Sequence, residues 1–350
     1  MSQQESSPSQ GYALFPQADL AALTTFRVPA RARVLAELYQ AEALGEMLAM
    51  EGIADANACF VLGGGSNVLF TRDYSGAVLR IATRGIDAVD ERDEFARLRI
   101  AAGENWDSLV RWTLAQGLAG LENLILIPGT VGAAPIQNIG AYGVELAEFV
   151  VVVEARDGER NDFVRLGRDE CGFAYRDSRF KHEPGRFIVT AVELELPRER
   201  ELRLDYSGVR AELEAMGVAA PGHGDVARAV ERLRLRKLPN PTEIGNAGSF
   251  FKNPLVARER AQALKTDYPE LPVYPTDDAD RVKLSAAWLI EAAGFKGWRD
   301  GAVGVSEKHA LVLVNHGGAT GADILALAEH IRMAVSRRFG LTLEPEPKIL

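Results

Sequence analysis

The chain is expected to fold as an α+β protein, and three observations carry that expectation. The first two-thirds reads as many short strands with few helices, without the regular alternation of a doubly wound sheet. The composition changes after about residue 200, where amphipathic helical patterns dominate. Between strand-like runs lies residues 121–143, L-E-N-L-I-L-I-P-G-T-V-G-A-A-P-I-Q-N-I-G-A-Y-G, an almost uncharged stretch rich in glycine and proline. Proline removes a donor and fixes φ, and glycine permits positive φ, so this stretch is a shaped loop, neither a helix nor a central strand.

In order along the chain, residues 1–11 are polar and are expected to fray. Residues 30–40 read as a strand. Residues 41–51 read as a short helix with Leu44, Met47 and Leu48 on one face, stopped by Gly52. Residues 59–62, 77–82 and 98–102 read as strands. A helix then carries Trp106, Leu109, Val110, Thr113 and Leu114 on one face and ends at Gly117. Residues 149–155 are strongly β-prone, with a hairpin signal at Asp157-Gly158, and residues 187–196 form another strand. Beyond residue 200, residues 211–224 read as loop. Residues 225–238 read as an amphipathic helix with five basic residues, and residues 283–293 as a second helix. Residues 310–314 read as a strand. Residues 322–339 read as a helix with Ile324, Ala328, Ile331, Val335 and Phe339 on its buried stripe and Gly340 as its stop.

The chain has 350 residues, 47% of them hydrophobic and 25% charged, enough for a sizeable core and for roughly two or three domains. A net charge of −9 argues against a nucleic-acid partner. Cys59 and Cys171 match no metal spacing and read as free thiols of a reducing compartment. The N-terminal residues lack the basic and apolar regions of a signal peptide, and no apolar run approaches the ~18 residues of a membrane span. A cytoplasmic protein with no membrane partner is expected.

A second stretch, residues 61–69, V-L-G-G-G-S-N-V-L, shares the character of the first. One such loop is most simply a tight turn in a packed core. Two shift the reading toward a phosphate-bearing cofactor, because successive backbone N–H groups in such loops hold anions. The dinucleotide fingerprint fails, since Val68 stands where its third glycine belongs. No G-K-[ST] follows either loop, no G-x-S-x-G elbow is present, and the five histidines have no ligand spacing, so no metal is expected.

Four patches remain. Arg176, in G-F-A-Y-R-D-S-R-F-K, sits between aromatic and acidic neighbours, where a structural ion pair is the commoner role. Ser249, in G-N-A-G-S-F-F-K-N-P, either caps a turn or lies where Phe250 and Phe251 keep water away. The basic helix near residues 228–237 is either a solvated face or a diphosphate site. Glu346, between Pro345 and Pro347, is a stiffly held carboxylate near a chain end.

The chain resembles the UDP-N-acetylenolpyruvoylglucosamine reductases from about residue 23 to 350. The resemblance is carried by L-G-G-G-S-N-V-L at 62–69, A-G-E-N-W at 102–106, residues 120–143, Y-R-D-S-R-F-K at 175–181, N-A-G-S-F-F-K-N-P at 246–254 and E-P-E at 344–346. It implies a PCMH-type (vanillyl-alcohol-oxidase-like) FAD-binding domain, followed by a smaller α+β substrate-binding domain. The implied boundaries are a disordered tail at 1–15, the FAD-binding domain at 16–200 in two lobes (about 16–75 and 76–200), and the substrate domain at 201–350. FAD would be noncovalent, with NADPH as hydride donor and UDP-N-acetylglucosamine enolpyruvate as substrate. Gly63, Gly64, Gly65, Ser66 and Asn67 would cradle FAD together with Pro128, Gly129, Thr130, Gly132, Asn138, Gly140 and Gly143.

By the same resemblance Ser249 is the general acid for C2, and Arg176 and Glu346 stabilise the enolic carboxylate. Glu346 either donates a proton or, ionised, orients Arg176. Tyr206 stands in the place of a substrate-sensing tyrosine of the longer family form. Lys237 and Asn253 match diphosphate-contacting positions, with Arg234 assisting. A monomer is expected. Two departures stand out: Thr24-Thr25-Phe26 replaces the usual Asn-Thr-Phe, and Ala133-Ala134 replaces small, often polar residues. Competing readings are a sugar or lactone oxidase of the same fold and a nucleotide-sugar binder without catalysis. The first often tethers flavin through a histidine, which residues 60–70 lack. The second has no need of Arg176, Ser249 and Glu346 together.

Overall fold

A computed structural model describes residues 11–50, 53, 59–206, 208–276 and 278–350. The chain divides into two compact units. The first comprises residues 1–18, 32–64 and 74–234; the second comprises residues 19–31, 65–73 and 235–350.

The first unit holds two sheets. A four-stranded sheet runs in the order Tyr12–Asp19, Arg31–Leu38, Tyr74–Ile81, Cys59–Leu62, and the last two pairings are parallel. A five-stranded sheet runs Asp162–Gly167, Val150–Asp157, Phe187–Pro197, Phe95–Ala101, Ile86–Glu91, antiparallel throughout. Alternation toward one buried face explains its strands: Ala96, Leu98 and Ile100 are buried along Phe95–Ala101. The helix Trp106–Ala115 starts where Asn105 accepts the Ser108 N–H at 2.9 Å, a side-chain N-cap. It buries Trp106, Leu109, Val110 and Thr113, as its 3.6-residue pattern requires, and Gly117 follows at φ 69°.

The second unit holds a four-stranded sheet, Gly245–Asn246, Leu313–Asn315, Val303–Val305, Arg299–Asp300, and a three-stranded one, Leu255–Ala257, Arg281–Leu284, Val273–Pro275. Lys348–Ile349 pairs in parallel with Val68–Leu69. The helix Gly321–Phe339 opens with a capping box between Thr320 and Asp323 and closes at Gly340, φ 64°. Ile324, Ala328, Ile331, Val335 and Phe339 are buried on it as the spacing requires.

Several local readings need correction. Residues 12–15, placed in a disordered tail, begin the strand Tyr12–Asp19, with Tyr12 and Ala13 buried; residues 1–10 lie outside the described residues, as do 51 and 52 of the first helix expected. Within residues 211–224, read as loop, the helix Val209–Ala215 runs to residue 215, and His223–Lys237 begins at 223. Good helix formers in E-L-E-A and burial of Val209 and Leu213 outweigh the flanking glycines. Residues 283–284 end the strand Arg281–Leu284, and the helix Ala286–Ala292 starts only where Ser285 accepts the Trp288 N–H at 3.2 Å. The strand expected at 310–314 is Leu313–Asn315.

Candidate active site

In the first unit the organising loop is paired to the A-G-E-N-W motif by backbone. Trp106 N–H donates to Gly129 C=O at 3.1 Å, Val131 N–H to Glu104 C=O at 2.9 Å and Gly132 N–H to Ala102 C=O at 2.8 Å. Trp106 is buried, and its indole N–H donates to Leu124 C=O at 3.0 Å. This contact demands a bare position: a Cβ on Gly132 would lie 2.5 Å from Ala102 Cβ. The first glycine loop meets the same surface. A Cβ on Gly64 would lie 2.6 Å from Gly129 Cα, although Gly64 itself is exposed. Two loops thus run side by side, with glycine at the contacts: a Cβ on Gly63 would lie 2.8 Å from Ala133 Cβ and 3.2 Å from Thr130 Oγ1. In the second unit Gly65 (φ 63°) continues the first loop, and Thr25 N–H donates to its C=O at 3.0 Å. The neighbouring Thr24 is buried, and its hydroxyl has no hydrogen-bond partner among the described residues. A glycine-rich pair of loops fits an anionic cofactor bound through backbone N–H groups.

Asn138 is a structural keystone of the cradle. It is buried in the left-handed region (φ 44°); its amide donates to Glu145 at 2.8 Å and to Ala174 C=O at 3.1 Å, and its oxygen accepts the Ala147 N–H at 3.0 Å. The Ala174 contact ties the loop to the segment carrying Arg176, which is also left-handed (φ 55°). The Arg176 guanidinium donates to Gly140 C=O and lies over the Tyr175 ring, 5.3 Å from its centroid. A Cβ on Gly140 would lie 2.9 Å from that guanidinium and also 2.9 Å from Val144 C=O, and the backbone contact gives this glycine its reason. Gly143 (φ 81°) has no neighbour within 4 Å of such a Cβ, so its backbone conformation alone calls for glycine.

Arg234 belongs to the same cluster. It is half-buried and donates to Leu126 C=O at 3.2 Å. Burial draws its affinity for a proton down, against support from Tyr142 and Asp107, while nearby Arg176 adds like charge. Neither Arg176 nor Arg234 has a carboxylate within ion-pair distance among the described residues. Elsewhere on the basic helix, Arg228 pairs with Asp225 and Arg232 with Glu212 at 2.9 Å. Two half-buried guanidinium groups left without carboxylates form a site for an added anion. Tyr206 is exposed and packs edge-on to Tyr142, ring centroids 5.1 Å apart.

Two residues here escaped the sequence reading. Tyr142, at φ 50°, has its phenol pKa raised by burial and by Tyr206, with Arg234 opposing. Asn123 is fully buried and donates to Tyr142 C=O at 2.9 Å and to Arg203 C=O at 3.0 Å, and its own oxygen has no partner among the described residues. A non-glycine positive φ leaves little local signal. A polar Glu122-Asn123 pair directly before the apolar run 124–127 was the available signal for Asn123.

In the second unit, Ser249 and Glu346 come together through backbone pairing. Phe250 N–H donates to Leu311 C=O at 2.8 Å, and Glu346 N–H donates to Phe250 C=O at 2.8 Å. Lys252 N–H donates to Glu344 C=O at 3.0 Å, and Phe251 bridges Pro345. Phe250 and Phe251 are fully buried, 5.2 Å apart edge-to-face, and anchor this ribbon. The turn before Ser249 is closed by Asn246, whose oxygen accepts the Gly248 N–H at 3.0 Å. The Ser249 side chain therefore does not cap it; it is half-buried and its hydroxyl makes no hydrogen bond among the described residues. Asn67 donates to Glu346 C=O at 3.5 Å. Asn253 is engaged locally: its oxygen accepts the Ala286 N–H at 2.9 Å. Lys237 is exposed; burial first, and then the charges of Lys237 and Lys296, hold the His309 pKa down.

Residues 50–163 match the model of an FAD binding domain. Together with the bare double-loop cradle, this defines the class: an FAD-dependent oxidoreductase with a PCMH-type domain and a smaller α+β domain after it. Residues 240–350 match the C-terminal domain of UDP-N-acetylenolpyruvoylglucosamine reductase. Proteins of that name from Xanthomonas euvesicatoria pv. vesicatoria (strain 85-10) and Xylella fastidiosa (strain M12) are 52% and 50% identical to this chain. The first match covers 97% of each chain; the second covers 100% of this chain and 99% of the relative. The crystal structure of the UDP-N-acetylenolpyruvylglucosamine reductase (MurB) from Thermus caldophilus superposes with a TM-score of 0.66 at 27% identity, over 97% of this chain and 98% of that one. The chain belongs to the UDP-N-acetylenolpyruvoylglucosamine reductase family. Among the described residues no helix is long and apolar enough to cross a membrane.

Proposed function

We propose that this protein reduces UDP-N-acetylglucosamine enolpyruvate to UDP-N-acetylmuramate with NADPH and noncovalent FAD, in cytoplasmic synthesis of peptidoglycan precursors. The FAD-binding match and the family membership support the cofactor and the substrate class. Gly63, Gly64 and Gly65, with Ser66 and Asn67, would hold FAD through backbone N–H groups, as would Gly129 and Thr130, while Pro128, which has no N–H, and Gly132, whose N–H is given to Ala102 C=O, would shape the second loop. Asn138, Gly140 and Gly143 would shape that second loop. FAD, when bound, supplies the relay of hydride from NADPH to C3 of the enolpyruvyl group.

The chain's own residues handle the charge that results. Negative charge spreads over C2 and the carboxylate, and the guanidinium of Arg176, with no carboxylate of its own among the described residues, stabilises that charge as it develops. Ser249 gives its proton to C2, and Glu346, held by its N–H on Phe250 C=O, acts on the enolic oxygen or orients the guanidinium. Tyr206, Arg234, Lys237 and Asn253 bind the diphosphate, far from the reacting carbons. The observation that carries the reading is the Ser249 hydroxyl: half-buried, without a hydrogen bond among the described residues, and relieved of any capping duty by Asn246.

The test separates the two half-reactions by anaerobic stopped-flow at the flavin absorbance. Ser249→Ala should be reduced by NADPH at close to the normal rate. Its reoxidation by the enolpyruvyl substrate should slow by roughly 10²–10⁴-fold, the usual contribution of a general acid. Normal rates in both halves would remove Ser249 from the mechanism.

A further inference from the structure

The groups that hold Arg234 close a circuit within the first unit. Leu126, whose C=O accepts the Arg234 guanidinium, is in the left-handed region at φ 58°, which a leucine avoids. Its N–H donates to Asp107 Oδ1 at 2.7 Å. Asp107 Oδ2 accepts Arg111 Nε at 2.9 Å, and Arg111 donates in turn to Glu231 Oε1 at 2.7 Å. Glu231 lies three residues before Arg234 on the same helix, at the spacing where side chains meet. The circuit thus engages both nearby carboxylates with Arg111 and leaves Arg234, among the described residues, a backbone carbonyl alone.

We propose that Asp107 is a positioning residue for Arg234: it holds the left-handed Leu126 peptide so that its carbonyl aims the guanidinium at the substrate diphosphate, while Arg111 keeps Glu231 from neutralising that charge. The proposal rests on the reading of Arg234 as a diphosphate ligand. Nothing in it requires Asp107 or Arg111 to touch substrate. The plainer role for Asp107 is a carboxylate in the first turn of the helix Trp106–Ala115, favoured there by the helix dipole. That role moves melting temperature and leaves substrate affinity alone.

The experiment measures Kd for the enolpyruvyl nucleotide by calorimetry on the holoenzyme, alongside KM, kcat and melting temperature. Asp107→Ala should raise Kd and KM about tenfold, the usual effect of losing a charge-assisted hydrogen bond, with kcat and flavin reduction by NADPH near normal. Asp107→Asn keeps an acceptor for the Leu126 N–H and should recover most of the loss. In a Leu126→Gly background, where positive φ is free of strain, Asp107→Ala should add little. Arg111→Met should also weaken binding, and Glu231→Gln in that background should restore it. Unchanged Kd in both Asp107→Ala and Arg111→Met, or an equal penalty from Asp107→Ala with leucine and with glycine at 126, overturns the proposal. Unchanged Kd in Arg234→Ala instead removes the ligand reading on which it stands.

Discussion

The Arg176–Arg234–Tyr206 cluster of the first unit and the Ser249–Glu346 ribbon of the second are built by different means. In the first, side chains are held by backbone carbonyls and by residues with positive φ: Leu126, Asn138, Tyr142 and Arg176. Tyr206 there is exposed. In the second, two fully buried phenylalanines and a run of strand-like backbone hydrogen bonds fix the ribbon on which Ser249 sits. A proton donor must be placed to within a fraction of an ångström, and buried anchors supply that. On the proposed reading, Tyr206 and Arg234 recognise a remote diphosphate and tolerate a polar, more exposed framework, while Arg176 of the same cluster serves the developing charge.

That contrast predicts different kinetic signatures. The largest effect belongs to the ribbon: Ser249→Ala, with its loss confined to flavin reoxidation as set out above. A loss spread over substrate affinity instead would erase the distinction between the two regions. The circuit through Asp107 should come next, at about tenfold in Kd and KM.

Tyr206→Phe should have a smaller effect. It keeps the edge contact with Tyr142 and loses only the phenol, so KM should rise roughly fivefold, from about 1 kcal/mol for one hydrogen bond, with kcat nearly unchanged. Steady-state kinetics with the nucleotide substrate decide it. A fall in kcat at constant KM would place Tyr206 with the chemistry.

Asp157 offers a buried charge outside both regions. Arg186 first, at 2.8 Å, and then the N–H groups of Glu159 and Arg160 push its carboxyl down to about 2 against the effect of burial. A depressed carboxylate pKa stabilises the fold above the unfolded value of about 3.9 and loses that contribution as pH falls through the folded value. Thermal melts should therefore show a wild-type contribution lost between about pH 4 and pH 2. Asp157→Asn should melt lower at pH 7 and lack that step, with KM unchanged. A changed KM would extend the substrate framework to this strand end.

The smallest effect is expected at the thiols. Burial pushes Cys59 up to about 11 and Cys171 up to about 12, so neither offers appreciable thiolate near neutral pH. Serine at either position should leave turnover largely intact, and a thiol reagent should label the native protein slowly. Loss of flavin reduction in a folded variant would reveal a redox role.

What the sequence determined by itself was local. Helix Gly321–Phe339 declared itself by its 3.6-residue stripe and its Gly340 stop, and the helix from Trp106 by its apolar face and Gly117, because these signals lie within a few turns of chain. The two glycine loops were visible as backbone without side chains. The family motifs identified Arg176, Ser249, Glu346 and Tyr206 as residues to examine. Tertiary structure alone decided what these residues touch. That Asn246, and not Ser249, closes the turn depends on a side-chain rotamer. That Glu346 lies beside Phe250 depends on pairing between segments almost a hundred residues apart, and that Leu126 turns left-handed for Asp107 depends on a helix nineteen residues upstream. Such contacts form only when distant segments meet, so no window of sequence contains them; the fold supplies the partner that makes an otherwise unfavourable local conformation stable.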